Sequence, residues 1–280
     1  MDANTLFVSI PAKATDNWQR LDNRWEYQLR SRQLSRDIWA CTNDASGGIY
    51  RSRWDNISFN RIDAPEHPWT GVAVAPNGVV WAVESDGRVY TSVDGGAPFQ
   101  LIHTAGYAFE DVAASPNGDI WFATWGNQRI YRLVGGELPF VQMAAIYYTN
   151  GVAIAPNLDA WAAVHAEFVY KSIGGTGAWN AISGYGTGVQ WNDVEVDLNG
   201  DVWTIKGTVI YKNVAGTSGF STYQDTAGVT WRSISAAING DMWACEANGD
   251  IYYNAGGVSA FVPVGAETRQ WRGISSQIYT

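Results

Sequence analysis

Short apolar runs alternate with turn residues along almost the whole chain, and none extends with the 3.6-residue period of a helix. The stretch from Asn199 to Tyr211, NGDVWTIKGTVIY, shows the pattern: a turn dipeptide, an apolar run centred on Trp203, a second turn, and a second apolar run ending in Tyr. The phrase recurs as NGVVWAVESDGRVY, NGDIWFATWGNQRIY and NGDMWACEANGDIYY. Aligned on its Trp, it places Trp39, Trp81, Trp121, Trp161, Trp203 and Trp243 at spacings of 42, 40, 40, 42 and 40 residues. Each unit has one internal order, as in WRSISAAI, NG, DMWAC, ANG, DIYYN, AGG and SAFVPV from Trp231 onward. Asn-Gly, Asp-Gly and Gly-Gly supply the positive φ angles of tight hairpins, so each unit reads as four short antiparallel strands. Four-stranded units at a period of about 40 residues predict an all-β fold, the β-propeller, as one domain over 1–280.

The two ends suggest the blade count. The first-strand phrase appears once more as Trp271-Arg-Gly-Ile-Ser-Ser, and the N-terminal LFVS (Leu6 to Ser9) and NWQRL (Asn17 to Leu21) resemble third and fourth strands. Together they predict a seventh blade shared by both ends, with outer strands from 1–23 and inner strand or strands from 271–280. A chain of 280 residues divided by the period agrees. Six blades with decorated termini is the alternative.

With a Trp opening the preceding strand, NGDVWTIKGTVIY resembles the tectonin repeat, over almost the whole chain. That resemblance implies a non-enzymatic lectin of the cytoplasm or of host–pathogen surfaces. The Gly-His and Trp-Asp pairs of WD40 blades are absent. Ser92-Val-Asp-Gly-Gly-Ala-Pro-Phe99 resembles an Asp-box, with weaker versions at Ser172 to Trp179 and Asn254 to Phe261. That likeness implies a braced turn, as in sialidases, sortilin-like receptors and phage tail proteins.

Composition narrows the function. Fifteen Trp and fourteen Tyr beside thirty Gly suit aromatic strands joined by tight turns. The net charge of −9 argues against a nucleic-acid partner. The opening MDANTLFVSIPAK has no basic leader, and no apolar run reaches the length of a membrane span, so a cytoplasmic or particle-borne protein is expected, without membrane insertion. Cys41 and Cys245 stand at equivalent repeat positions and are expected as buried thiols. His67, His103 and His165 form no zinc spacing, and no nucleophile-elbow, P-loop or dinucleotide motif occurs, so neither catalysis nor a cofactor or metal is expected.

Recognition is the remaining expectation. Loops between blades, and between second and third strands, share one face of a propeller and vary here, which suits binding. Trp69, Phe109, Trp191, Trp231 and Trp271 open the first strands at that face, either to stack on sugar rings or to wedge between blades. Asn192, Arg232 and Arg272 follow directly, and Glu84, Asn127 and Glu246 come from second-to-third-strand loops, all able to fix hydroxyls. Trp54 and Trp125 fall outside the repeat frame, and Trp125 lies on the proposed binding face. Asp193 and Glu195 interrupt the small residues of the first strands and face the axial channel, solvated or holding a cation. Arg30, Arg32 and Arg36 make a basic hairpin that could meet an acidic protein partner. The expected ligand is a glycan on a cell or particle surface, and the alternative is a structural or host-recognition subunit of an assembly such as a phage tail or baseplate.

Overall fold

The structure is a computed structural model and describes residues 37–276 except 45–46, 54–55, 63–66, 94, 97, 126–128, 147, 166–167, 183–189, 218 and 266–267. Three strands begin it: β1 (Ile38–Thr42), β2 (Ile49–Arg53) and β3 (Asn56–Arg61). Five complete four-stranded meanders follow, each running outward from the axis. They are β4 (Trp69–Val74) to β7 (Gln100–Thr104), β8 (Phe109–Ala114) to β11 (Glu137–Ala144), β12 (Thr149–Ile154) to β15 (Trp179–Ala181), β16 (Asp193–Val196) to β19 (Ser221–Asp225), and β20 (Trp231–Ala236) to β23 (Val262–Pro263). The last strand, β24 (Trp271–Ser276), pairs with β1 and becomes the innermost strand of the first blade. The inner strands β24, β4, β8, β12, β16 and β20 then neighbour one another in a closed ring.

The ring therefore has six blades, and the expected seventh, shared by the two ends, does not form. The C-terminal phrase opens no new blade because the first blade has no inner strand of its own among the described residues. In β24, Ser276 stands opposite Ile38 and Trp271 opposite Thr42, with a bulge at Cys41/Thr42 like the one between Trp69 and Gly71. The described ring runs from residue 37 to residue 276, which is 240 residues or six periods of 40. The proposed outer strands in 1–23 and the basic hairpin with Arg30, Arg32 and Arg36 lie outside the described residues, as do Trp54 and Asn127.

The core is divided into six layers, one between each pair of consecutive blades. Each layer takes the second-strand Trp of one blade, and five of the six also take the aromatic that opens the next blade's first strand: Trp39 with Trp69, Trp81 with Phe109, Trp161 with Trp191, Trp203 with Trp231, and Trp243 with Trp271. The second-strand indoles also reach beneath the turn that ends the next blade's third strand, where a Cβ on Gly216 would lie 2.9 Å from Trp161. Only glycine leaves that space.

A polar device repeats on the same face. Asp159 accepts the Gly174 N–H (2.8 Å) and pairs with Lys171 (2.9 Å), whose ammonium sits 4.9 Å above the Trp161 ring. Asp201, Lys212 and Trp203 repeat it, with the Ala215 N–H as donor, as do Asp119, Arg132 and Trp121, with Gly135. In the second blade, Val79 replaces the Asp and Thr91 replaces the cation, so both partners are exchanged together. In these blades the third-to-fourth-strand turn is thus braced from the second strand. Asp94, the acidic residue of the Asp-box-like stretch, lies outside the described residues.

Both cysteines are free and buried. Their side chains project in the same rotational sense, Cys245 into the layer with Trp271 and Cys41 into the layer with Trp69, so the first blade lies between them. Burial pushes the Cys245 thiol up to about 12 and the Cys41 thiol higher, which leaves both protonated and unreactive. No helix among the described residues is long and apolar enough to cross a membrane.

Candidate functional site

The chemistry of the loop face follows from a bulge at the start of the inner strands β4, β8, β12, β20 and β24. Trp69 pairs with Glu84 but Gly71 with Val83, so one extra residue is inserted at position 70. The strand-opening aromatic turns into the core, and the residue after it faces the mouth of the channel. Trp69, Trp191, Trp231 and Trp271 are accordingly 0–1% exposed. Their faces are closed to a sugar ring, and the stacking role open to them in the sequence is not available. They wedge between blades instead.

The ring that does surround the mouth is Thr70, Glu110, Asn150, Asn192, Arg232 and Arg272. Three of its members share one task, closing the inner ring. Thr70 Oγ1 donates to the Phe109 carbonyl (2.9 Å), Asn150 Nδ2 to that of Trp191 (2.7 Å), and Asn192 Nδ2 to that of Trp231 (2.9 Å), in each case across to the next blade. The charged members depart from this. Arg272 donates to Glu110 Oε2 at 2.8 Å and Arg232 approaches the same oxygen at 3.6 Å, although Glu110 belongs to the third blade and the arginines to the first and sixth. One carboxylate thus faces two guanidinium groups across the mouth, and the Nε atoms of both arginines are buried without an acceptor among the described residues. Burial, and then the charge of Arg272, pull the pKa of Arg232 down from its ordinary value. Two carboxylates act against this pull on Arg232, Glu110 at the mouth and Asp193 beneath it. Glu110 was missed in the sequence, although its place after Phe109 matches that of Arg232 after Trp231.

Beneath the mouth lies a channel of about 50 Å³, room for a few waters, lined by small residues and by Asp111, Asp193 and Glu195. The carboxylates serve the ring. Asp193 Oδ2 accepts from Ser233 Oγ (2.7 Å) and from the Ile234 N–H (3.0 Å), and Asp111 accepts the Val152 N–H (2.9 Å). Glu195 takes the N–H groups of Val196 (2.8 Å) and Ala236 (3.4 Å). Inner-strand N–H groups that no strand ladder can reach are satisfied in this way. Burial pushes Asp193 up to about 6 and Glu195 up to about 8, and raises Asp111 through desolvation and then the charge of Asp193.

The third and fourth blades flank the mouth with aromatics, and the fifth adds Gln190. Trp125, half-buried, lies with its ring centre 4.9 Å from that of Tyr148 and 4.9 Å from that of His165. Gln190 Nε2 is 3.2 Å from His165 Nε2. The backbone ties this group to the mouth: the Trp125 N–H donates to the Ala108 carbonyl, and Tyr148 and Gln190 each stand two residues before a ring asparagine. Tyr148 is exposed and adopts φ 49°, a left-handed conformation unusual for a bulky residue. Of this cluster only Trp125 was singled out in the sequence. Tyr148, His165 and Gln190 carry no repeat signal and meet through loops.

Glu246, another expected partner, is half-buried opposite Trp231 at the end of its strand. Glu84, its counterpart in the second blade, is fully buried with His67 Nδ1 2.5 Å from its carboxylate. Burial, reinforced by a hydrogen bond to Asp86, pushes Glu84 up to about 7.

No protein-family model matches the chain, and no curated protein matches it in sequence. Solved structures do resemble it. A chain of the nidogen/laminin complex superposes with a TM-score of 0.69 at 11% identity, over 85% of this chain and 97% of that one. A virginiamycin B lyase from Staphylococcus aureus superposes with a TM-score of 0.61 at 14% identity, over 85% and 88%. A gluconolactonase from Xanthomonas campestris gives 0.60 at 15% identity, over 76% and 84%. At these identities the likeness establishes the β-propeller fold alone.

Proposed function

We propose that this chain is a non-catalytic recognition propeller that binds carbohydrate on its loop face. The observation that carries the proposal is the Trp125, Tyr148 and His165 cluster, placed beside a channel mouth where Arg232 and Arg272 share one carboxylate. An accessible indole and phenol offer faces on which the C–H surface of a sugar ring stacks, and Gln190 and Asn192 stand close by with amides for its hydroxyls. The arginine pair suits a sugar carrying a carboxylate or sulfate, because guanidinium groups form short charge-assisted hydrogen bonds with such anions. Among the structural neighbours, one comes from a protein complex and two are named as enzymes, so the fold itself favours neither role, and the proposal rests on the site.

A glycan array spanning neutral and acidic sugars tests it, followed by titration of the best ligand. Trp125→Ala is expected to weaken binding about tenfold, or about 1.4 kcal/mol. Arg232→Met is expected to remove the preference for acidic over neutral sugars. An array on which the wild type binds nothing, or a Trp125→Ala variant that binds as well as wild type, would refute the proposal.

A further inference from the structure

The face opposite the loops presents the same kind of side chain in blade after blade. Val93, Val134, Ile173 and Val214 begin the third-to-fourth-strand turn of the second to fifth blades and are 74%, 55%, 73% and 60% exposed. Val258 projects from the same turn in the sixth blade. Leu158 and Leu198, in the inner turns of the fourth and fifth blades, add apolar surface nearer the axis. The turn itself asks for none of this, since its shape is set by the left-handed residues that follow and, from the third to the sixth blade, by the bracing aspartates. Single exposed aliphatics are ordinary, but one at the same place in four successive blades makes an apolar arc, which Val258 extends from a later position of its turn.

We propose that this face is a homotypic interface, on which a second copy of the chain docks face against face. A second copy offers the same apolar points at the same radius and spacing. The exposed aliphatics together present on the order of 500 Å² of apolar surface, close to the share that a standard interface of about 800 Å² per partner takes from each side. Four cations of this face, Arg51, Arg132, Lys171 and Lys212, are each paired with an aspartate of their own blade, and Arg53 stands exposed at the first-blade place equivalent to Val93. Two such faces therefore do not repel through the four paired groups, and Arg53 alone falls short of the basic cluster that draws a face to an anionic lipid surface.

Light scattering coupled to size exclusion, repeated over a concentration series, tests the proposal on the full chain. Wild type is expected to move toward twice the monomer mass as concentration rises. The Ile173→Ser, Val214→Ser double variant is expected to stay at monomer mass with an unchanged melting temperature when dilute, because both side chains are already mostly exposed. Leu101→Ser, on an outer strand of the second blade, is expected to dimerise like wild type. A wild type that is monomeric throughout, or a dimer that survives the double variant, overturns the proposal. Binding of a monomeric wild type to phosphatidylcholine vesicles, lost in the double variant, would assign the face to a lipid surface and overturn it as well.

Discussion

Two adjacent glycines allow the contribution of the blade-to-blade wedge to be isolated. Gly174 and Gly175 are both left-handed, with φ of 61° and 60°. A Cβ on Gly174 would meet nothing nearer than Thr176 Oγ1 at 3.9 Å, whereas on Gly175 it would lie 3.0 and 3.1 Å from Cζ2 and Cη2 of Trp121 and 3.3 Å from the Leu158 carbonyl. The fifth blade already carries Ala215, φ 55°, at the position equivalent to Gly174. Left-handed strain of about 1–2 kcal/mol is partly offset by about 0.4–1 kcal/mol from the lower freedom of the unfolded chain, so Gly174→Ala should cost about 1 kcal/mol or less. Gly175→Ala carries the same strain and must also displace a buried indole, which adds about 1–3 kcal/mol. The expected gap is about 2 kcal/mol, or roughly 5 °C in Tm for a domain of this size. Urea denaturation of both variants, alone and with Trp121→Phe, measures it. In the Trp121→Phe background the gap should close, because the crowding ring atoms are gone. Equal costs for the two glycines in wild type, or a gap unchanged by Trp121→Phe, would refute the wedge.

Two further predictions concern the channel and the polar device. Glu195 has a folded pKa of about 8, above its ordinary value, so the protonated form suits the fold: its stabilisation is complete in acid and is lost as pH rises through 8. At about 1.4 kcal/mol per pH unit, the group should withdraw on the order of 3 kcal/mol between pH 5 and pH 8, a slope that Glu195→Gln lacks; parallel pH profiles of unfolding free energy for the two proteins would contradict this. In the second blade, Val79→Asp and Thr91→Lys together install the missing pair, and a double-mutant cycle should show a favourable coupling of about 1 kcal/mol, with no coupling as the contrary result.

Most of the scaffold could be read from the chain because it is local. The spacing of Trp39 through Trp243, the four-strand order and the glycine turns depend on residues a few positions apart, and all reappear in the blades. The blade count depends on which strand Trp271–Ser276 pairs with, a choice between distant partners that alternation does not encode. The site was harder to read for a related reason. The bulge after Trp69, Trp231 and Trp271 reverses which residue of each pair faces the core, so the tryptophans went inward while Arg232 and Arg272 reached the mouth. Glu110 became their partner only because the ring brings the third blade opposite the sixth.

Closure by β24 also shapes how the molecule comes apart. Pairing Ile38 with Ser276 joins positions more than two hundred residues apart, yet loop-closure entropy grows only logarithmically, so this costs only about 3 kcal/mol more than closing a ten-residue turn. Once docked, β24 is a latch held from both sides: Trp271 and Ile274 fill the layer toward the sixth blade, while Gly273 lies against Gly71 of the second. Releasing it uncovers two layers at once and leaves two raw sheet edges, which binds the six blades into one cooperative unit rather than six that fray independently.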